Sequence, residues 1–175
     1  EILIRYGELS TKGRNKNEFI QRLRENIRYS FHDIMPLNIR AERDRMFIEI
    51  ENEEKFAVLM ERLPGIFGIQ SFSPVASCEK DLEQMKQLAV EVMDIYKEQE
   101  LTFKVEVRRT DKHFAYDSHQ LQREIGGTVL PKYPNLRVDV RKPDVELRVE
   151  VRMDATYIMA QVIKGAGGMP IGSNG

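Results

Sequence analysis

Residues 145 to 152, VELRVEVR, alternate without a break, Val145, Leu147, Val149 and Val151 against Glu146, Arg148, Glu150 and Arg152. Only the two-residue period of a strand puts all four aliphatic side chains on one face, so this segment belongs to a sheet with one buried and one wetted face. Residues 101 to 108 show the same pattern with Phe103, Val105 and Val107, and strands are expected over 136 to 140 and 156 to 163. Two helices belong to the same unit. One runs from Leu82 to about Glu98, with Leu82, Met85, Leu88, Ala89, Val92 and Tyr96 as its apolar stripe. The other starts at Asp117 or Ser118, where Gln120 three residues after Asp117 suits a capping box, and buries Leu121, Ile125 and Val129.

The first 75 residues read as a separate, smaller domain. A short strand from Ile2 to Tyr6 is followed by the polar loop GELSTKGRNKN and a helix whose face is Phe19, Ile20, Leu23, Ile27, Phe31 and Ile34, ended by Pro36. Two strands, a helix from about Glu53 to Leu63 and a strand near GIQSFSPV complete the order β-α-β-β-α-β. That is the ferredoxin-like arrangement, so the fold class expected is α/β of the α+β kind. The expected domains are 1–75, 76–165 and a Gly-rich linker over 166–175. The chain opens on Glu1 directly in a strand pattern and closes on the composition of a connector, so it reads as the N-terminal part of a longer protein.

Composition excludes several classes. With 27 basic and 28 acidic residues, no whole-chain charge argues for nucleic acid or an acidic membrane. By segment the balance differs: residues 76–102 carry 3 basic and 7 acidic side chains, and 103–152 carry 11 and 8. The single cysteine, Cys78, excludes an internal disulfide, and one thiol with three scattered histidines does not suggest a structural zinc site. No apolar run approaches the roughly 20 residues that span a bilayer, which suits a soluble cytoplasmic protein without a membrane partner.

Catalytic signals are weak. Cys78 has no histidine near it in sequence, and His113, Asp117 and His119 straddle a loop-to-helix junction that puts their side chains on no shared face. GAGG at 165–168 and GSNG at 172–175 lack the following helix that a phosphate loop needs. The basic group is different. Arg108 falls on the strand face opposite Val107, and Arg109 and Lys112 follow in a loop free to point outward, where they can grip phosphate oxygens. Lys132, Arg137, Arg141 and Lys142 merge with them into one groove if the strands around 105 and 140 are neighbours. The alternative is a solvated face neutralised by Glu106, Asp111, Asp139 and Asp144. Lys12, Arg14 and Lys16 in the first loop raise the same choice.

FKVEVRRTDKHFAYDSHQLQREIGG at 103–127, followed by VDVRKPDVELRVEV at 138–151, resembles the core of a THUMP domain, an RNA-binding module of several classes of tRNA-modifying enzyme. ILIRYGELSTKGRNKNEFIQRLRENI at 2–27 resembles the opening of the ThiI family, and GAGGMPIGSNG the connector into its PP-loop domain. The resemblance implies a tRNA 4-thiouridine synthase, also linked to thiamine thiazole synthesis. In it a PP-loop domain uses ATP to adenylate a uridine that then receives sulfur from a cysteine desulfurase-type donor. The Ser-Gly-Gly-x-Asp-Ser loop of that domain is not in this sequence, and Cys78 stands at no matching motif. The segment itself is therefore expected to bind no cofactor and to be inactive.

The resemblance assigns Arg108, Arg109 and Lys112 to the family's basic loop, Phe114 and Leu121 to packing, and Gly126 to helix-end geometry. It further implies that the single-stranded 3′ end of the tRNA acceptor is the ligand; Lys132, Arg141 and Lys142, from their place in the same unit, and Lys12 and Arg14, from theirs in the first loop, are the further contacts expected. Another THUMP enzyme, such as a methyltransferase, and a ferredoxin-like regulatory module without RNA are the competing readings. The pairing of two chains is left open.

Overall fold

The computed structural model describes residues 1–7, 15–168 and 170. They fall into two compact units, Glu1–Pro74 together with the chain from Val162, and Val75–Gln161. The first contains β1 (Ile2–Tyr6), α1 (Asn15–Ser30), β2 (Ile39–Ala41), β3 (Arg45–Ile48), α2 (Glu53–Arg62) and β4 (Ile69–Pro74). The strands pair antiparallel in the order β4-β1-β3-β2, the ferredoxin-like topology that the element order implies. The core joins Ile2 and Ile4 of the sheet to Leu23 and Ile27 of α1 and Leu59 of α2, all fully buried. Asn52 starts α2 by accepting the Lys55 amide at 2.8 Å. The α1 helix stops at Ser30, and a single 3₁₀ turn, His32–Ile34, carries the chain on towards Pro36.

The second unit contains β5 (Ala76–Cys78), α3 (Leu82–Met93), β6 (Leu101–Arg109), α4 (Ser118–Lys132), β7 (Leu136–Val138), β8 (Val145–Val151) and β9 (Thr156–Met159). Their order in the sheet is β5-β9-β8-β6-β7, with β6 parallel to both β7 and β8. The alternating run is β8, at the middle of that sheet, with Leu147, Val149 and Val151 fully buried. They pack in one cluster with Met85 and Ala89 of α3 and Leu121, Ile125 and Val129 of α4. Asp117 and Gln120 form the expected capping box, with the Gln120 amide donating to Asp117 at 2.8 Å and the Asp117 amide to Gln120 at 2.9 Å. Gly126 is not at the end of that helix, which continues to Lys132.

The strand expected over 156–163 is two strands in different sheets. β9 ends at Met159, and β10 (Ile163–Lys164) pairs with β4 of the first unit. The expected linker also begins as ordered chain: the amides of Gly165 and Gly167 donate to the carbonyls of Gln70 and Ile69, each at 2.8 Å. The GSNG segment at 172–175 lies outside the described residues. A Cβ on Gly165 would overlap the Ile69 carbonyl, so only glycine lies flat there. Gly165→Ala is expected to lift this strap at the expense of two backbone hydrogen bonds, about 2 kcal/mol in a urea melt of the first unit. The melt of the second unit should not move.

Candidate nucleic-acid interface

The loop after β6 is tied down at almost every step. The amides of Thr110 and Asp111 donate to the Val151 carbonyl at 2.9 and 3.2 Å, which locks the loop's first turn to the end of β8. Asp111 is then buried, accepting from Lys80 Nζ at 2.7 Å and from the His113 amide at 3.0 Å. These two donors hold its carboxyl below the usual range, Lys80 contributing most. At the far side Phe114 lies against the core cluster, its ring 5.8 Å from that of Tyr116. Asp117 caps α4 directly after.

Arg109 overturns the expectation made for it. It is the last residue of β6, half-buried, and Nη1 donates to the carbonyls of Phe114 and Tyr116 at 3.3 and 3.1 Å. It reaches across the loop's base instead of outward, giving a partner to two carbonyls of the turn that leads into α4. Lys112 is the exposed cation of the tip and has no ion-pair partner among the described residues. Arg108, exposed on the open sheet face, is likewise without one.

That open face is otherwise neutralised. Lys104 sits 3.0 Å from Glu106 and 4.0 Å from Glu146, Arg148 lies 3.3 Å from Glu146, and Arg152 lies 3.7 Å from Glu150. Arg108 faces Glu150 across the β6–β8 pair, a carboxylate that already has Arg152. The other candidate neutralisers are engaged elsewhere. Asp139 accepts the backbone amides of Arg141 and Lys142 at 2.9 and 3.1 Å, and Asp144 accepts from the amide and hydroxyl of Thr102 at 2.9 and 3.1 Å. Among the described residues, the cations of Arg108, Lys112, Arg141 and Lys142 are therefore not held by these carboxylates.

The single groove expected for all the cations does not form. β7 pairs with β6 only over Leu101–Phe103, so Lys132, Arg137, Arg141 and Lys142 gather near the start of β6. Arg108 and Lys112 mark its other end, roughly 20 Å away at about 3.3 Å per residue. Arg137 is drawn off to Glu100 at 3.3 Å, a pair too exposed to be worth more than about 1 kcal/mol. Lys16 is a half-buried residue of α1, and Lys12 and Arg14 lie outside the described residues.

Burial, with Asp81 and Glu79 nearby, pushes the Cys78 thiol up and away from the reactive thiolate. No group of three His, Cys, Asp or Glu side chains suited to a metal occurs among the described residues, and no helix there is long and apolar enough to cross a membrane.

Residues 1–73 match the ThiI ferredoxin-like domain and residues 79–161 the THUMP domain. A probable tRNA sulfurtransferase of Lysinibacillus sphaericus is 69% identical over all 175 residues, and one of Staphylococcus aureus 44% identical over 174. The chain belongs to the ThiI family. It spans 43% and 42% of the length of these two ThiI relatives. Among solved structures, a 4-thiouridine synthetase–RNA complex with bound ATP superposes with a TM-score of 0.88 at 30% identity, over 99% of this chain and 44% of that one. A Pyrococcus horikoshii protein, PH1313, gives 0.78 at 30%, over 99% and 57%. In ThiI terms, Arg108 and Lys112 stand at one end of the long parallel strand of the THUMP sheet and Arg141 and Lys142 near the other.

Proposed function

We propose that this chain is the tRNA-recognition part of an ATP-dependent tRNA 4-thiouridine sulfurtransferase. Its THUMP unit grips the single-stranded 3′ end of the acceptor, and the distance from that grip to the catalytic domain selects the uridine. The PP-loop domain that uses ATP follows the glycine-rich segment after β10, and a cysteine desulfurase-type protein in the cytoplasm supplies the sulfur. This segment on its own is inactive.

One observation carries the reading: Arg108 and Lys112 stand exposed without an ion-pair partner among the described residues, while the carboxylates around them are held by other groups. On the same face Lys104 and Arg148 are matched by Glu106 and Glu146. A free end suits such a site, since its phosphates and bases are both accessible, whereas an A-form stem presents little to read.

Arg108→Ala with Lys112→Ala is expected to weaken tRNA binding at least about tenfold near 0.1 M salt. The slope of log affinity against log salt should flatten by about 1.4, or 0.7 per lost contact to a single strand. Filter binding over a salt series measures both. Equal affinity of the unaltered protein for tRNA with and without its 3′ end would overturn this selection by distance.

A further inference from the structure

Because β7 is three residues long and β6 is nine, most of the β6 edge runs on beyond its partner. The last bond on that side is from the Asp139 amide to the Phe103 carbonyl at 3.0 Å. Val105, two residues on, turns its backbone to the same side, where a groove of about 360 Å³ lies between the strand edge and α4. Its walls are apolar and uncovered: Val138 is 52% exposed and Val140 68%. Gln122 and Arg123 of α4 line its other side.

Gly126, on the helix side, is the informative residue. Glycine inside a helix costs about 1 kcal/mol relative to alanine. Packing does not require it, since a Cβ there would meet only Val105 Cγ2, at an ordinary 3.7 Å. What the missing side chain does is leave that wall open.

Charge indicates what enters. Arg123 is exposed with no partner among the described residues, and Arg141 follows Val140 directly. The groove's one lining carboxylate, Glu106, is tied to Lys104 at 3.0 Å. A flat apolar body attached to phosphate matches aliphatic walls beside unmatched guanidinium groups. An added peptide strand matches less well, because it would engage the strand edge and leave the guanidinium groups of Arg123 and Arg141 unmatched.

We infer that the groove between the free edge of β6 and α4 holds an unpaired nucleobase, walled by Val105, Val138 and Val140, with Gln122 at its polar edge and Arg123 towards its phosphate. The inference rests on the RNA-binding reading above and adds to it a base-binding site distinct from the cations at Arg108 and Lys112.

The test uses two probes, a short RNA hairpin with a single-stranded 3′ tail and the same hairpin with an abasic tail. The unaltered protein should prefer the intact tail roughly tenfold. Gly126→Leu should abolish that preference while leaving the abasic affinity, its salt slope and the thermal midpoint unchanged or the midpoint raised. Val140→Asp, at an exposed position, repeats the test from the opposite wall should the leucine variant not fold. Equal binding of both probes by the unaltered protein, or an undiminished preference in both variants, overturns the base site; a groove for a peptide strand predicts one or the other. Failure of the unaltered protein to bind either RNA at low salt would sink the RNA reading itself and this inference with it.

Discussion

Replacing Arg109 with Ala is expected to cost roughly tenfold in tRNA affinity without removing a phosphate contact. The guanidinium closes the base of the 110–117 loop through the carbonyls of Phe114 and Tyr116, and hydrogen bonds from a charged donor are each worth about 1.5–3 kcal/mol. Without them the Lys112 tip loses the frame that presents it, and binding has to order the loop first. The loss therefore passes through Lys112. In a Lys112→Ala background, Arg109→Ala should add little, a coupling that a double-mutant cycle measures directly. Arg109→Lys should recover only part of the loss, since an ammonium lacks the fork that spans two carbonyls. Hydrogen exchange of the amides from Lys112 to Tyr116 should quicken in the alanine variant before any RNA is added. Additive losses, with a further drop in salt slope from Arg109→Ala, would instead make Arg109 itself a phosphate ligand.

The contrast between Arg109 and Lys112 shows how far local sequence reaches. The alternation of β8 and the Asp117–Gln120 box are contained in neighbouring side chains, so they could be read before any fold was known. β5 and β10 could not be: over three and two residues a period of two cannot be told from chance, and each is a strand because a neighbouring strand offers an edge. The same limit governs the cations. RRTDK shows three basic residues close together, but which of them is available depends on carbonyls five and seven residues on and on a lysine 31 residues away. Of the carboxylates that looked like neutralisers, Asp139 turns to backbone amides in its own turn, as short Asp side chains do, and Asp144 turns to the amide and hydroxyl of Thr102 on β6. Gly126 was legible only as a glycine. Its place midway along a helix beside an uncovered strand edge appears once β7 is seen to stop at Val138.

Asp111→Asn should give the largest loss of stability in this loop, and the loss should depend on pH. The amide keeps the shape and can still accept the His113 amide, but it leaves Lys80 without the charge it meets at 2.7 Å beside a buried position. A drop of about 5 °C in the midpoint of the second unit is expected at pH 7. The Asp111 carboxyl is held below its usual range, first by Lys80 and then by the His113 amide. A depressed value in the folded state means the charged form stabilises the fold. The contribution is complete above the unfolded value, about 3.9, and disappears as pH falls through the folded one. The gap between the unaltered protein and Asp111→Asn should therefore be widest at neutral pH and close as pH falls below about 4. Lys80→Ala should reproduce it, and the two changes together should cost little more than either alone. A gap that stays constant from pH 7 to pH 3 would mean that the loop is held by packing of Phe114 and not by this ion pair. In that case loosening the Lys80–Asp111 contact could not alter how Lys112 is presented to RNA.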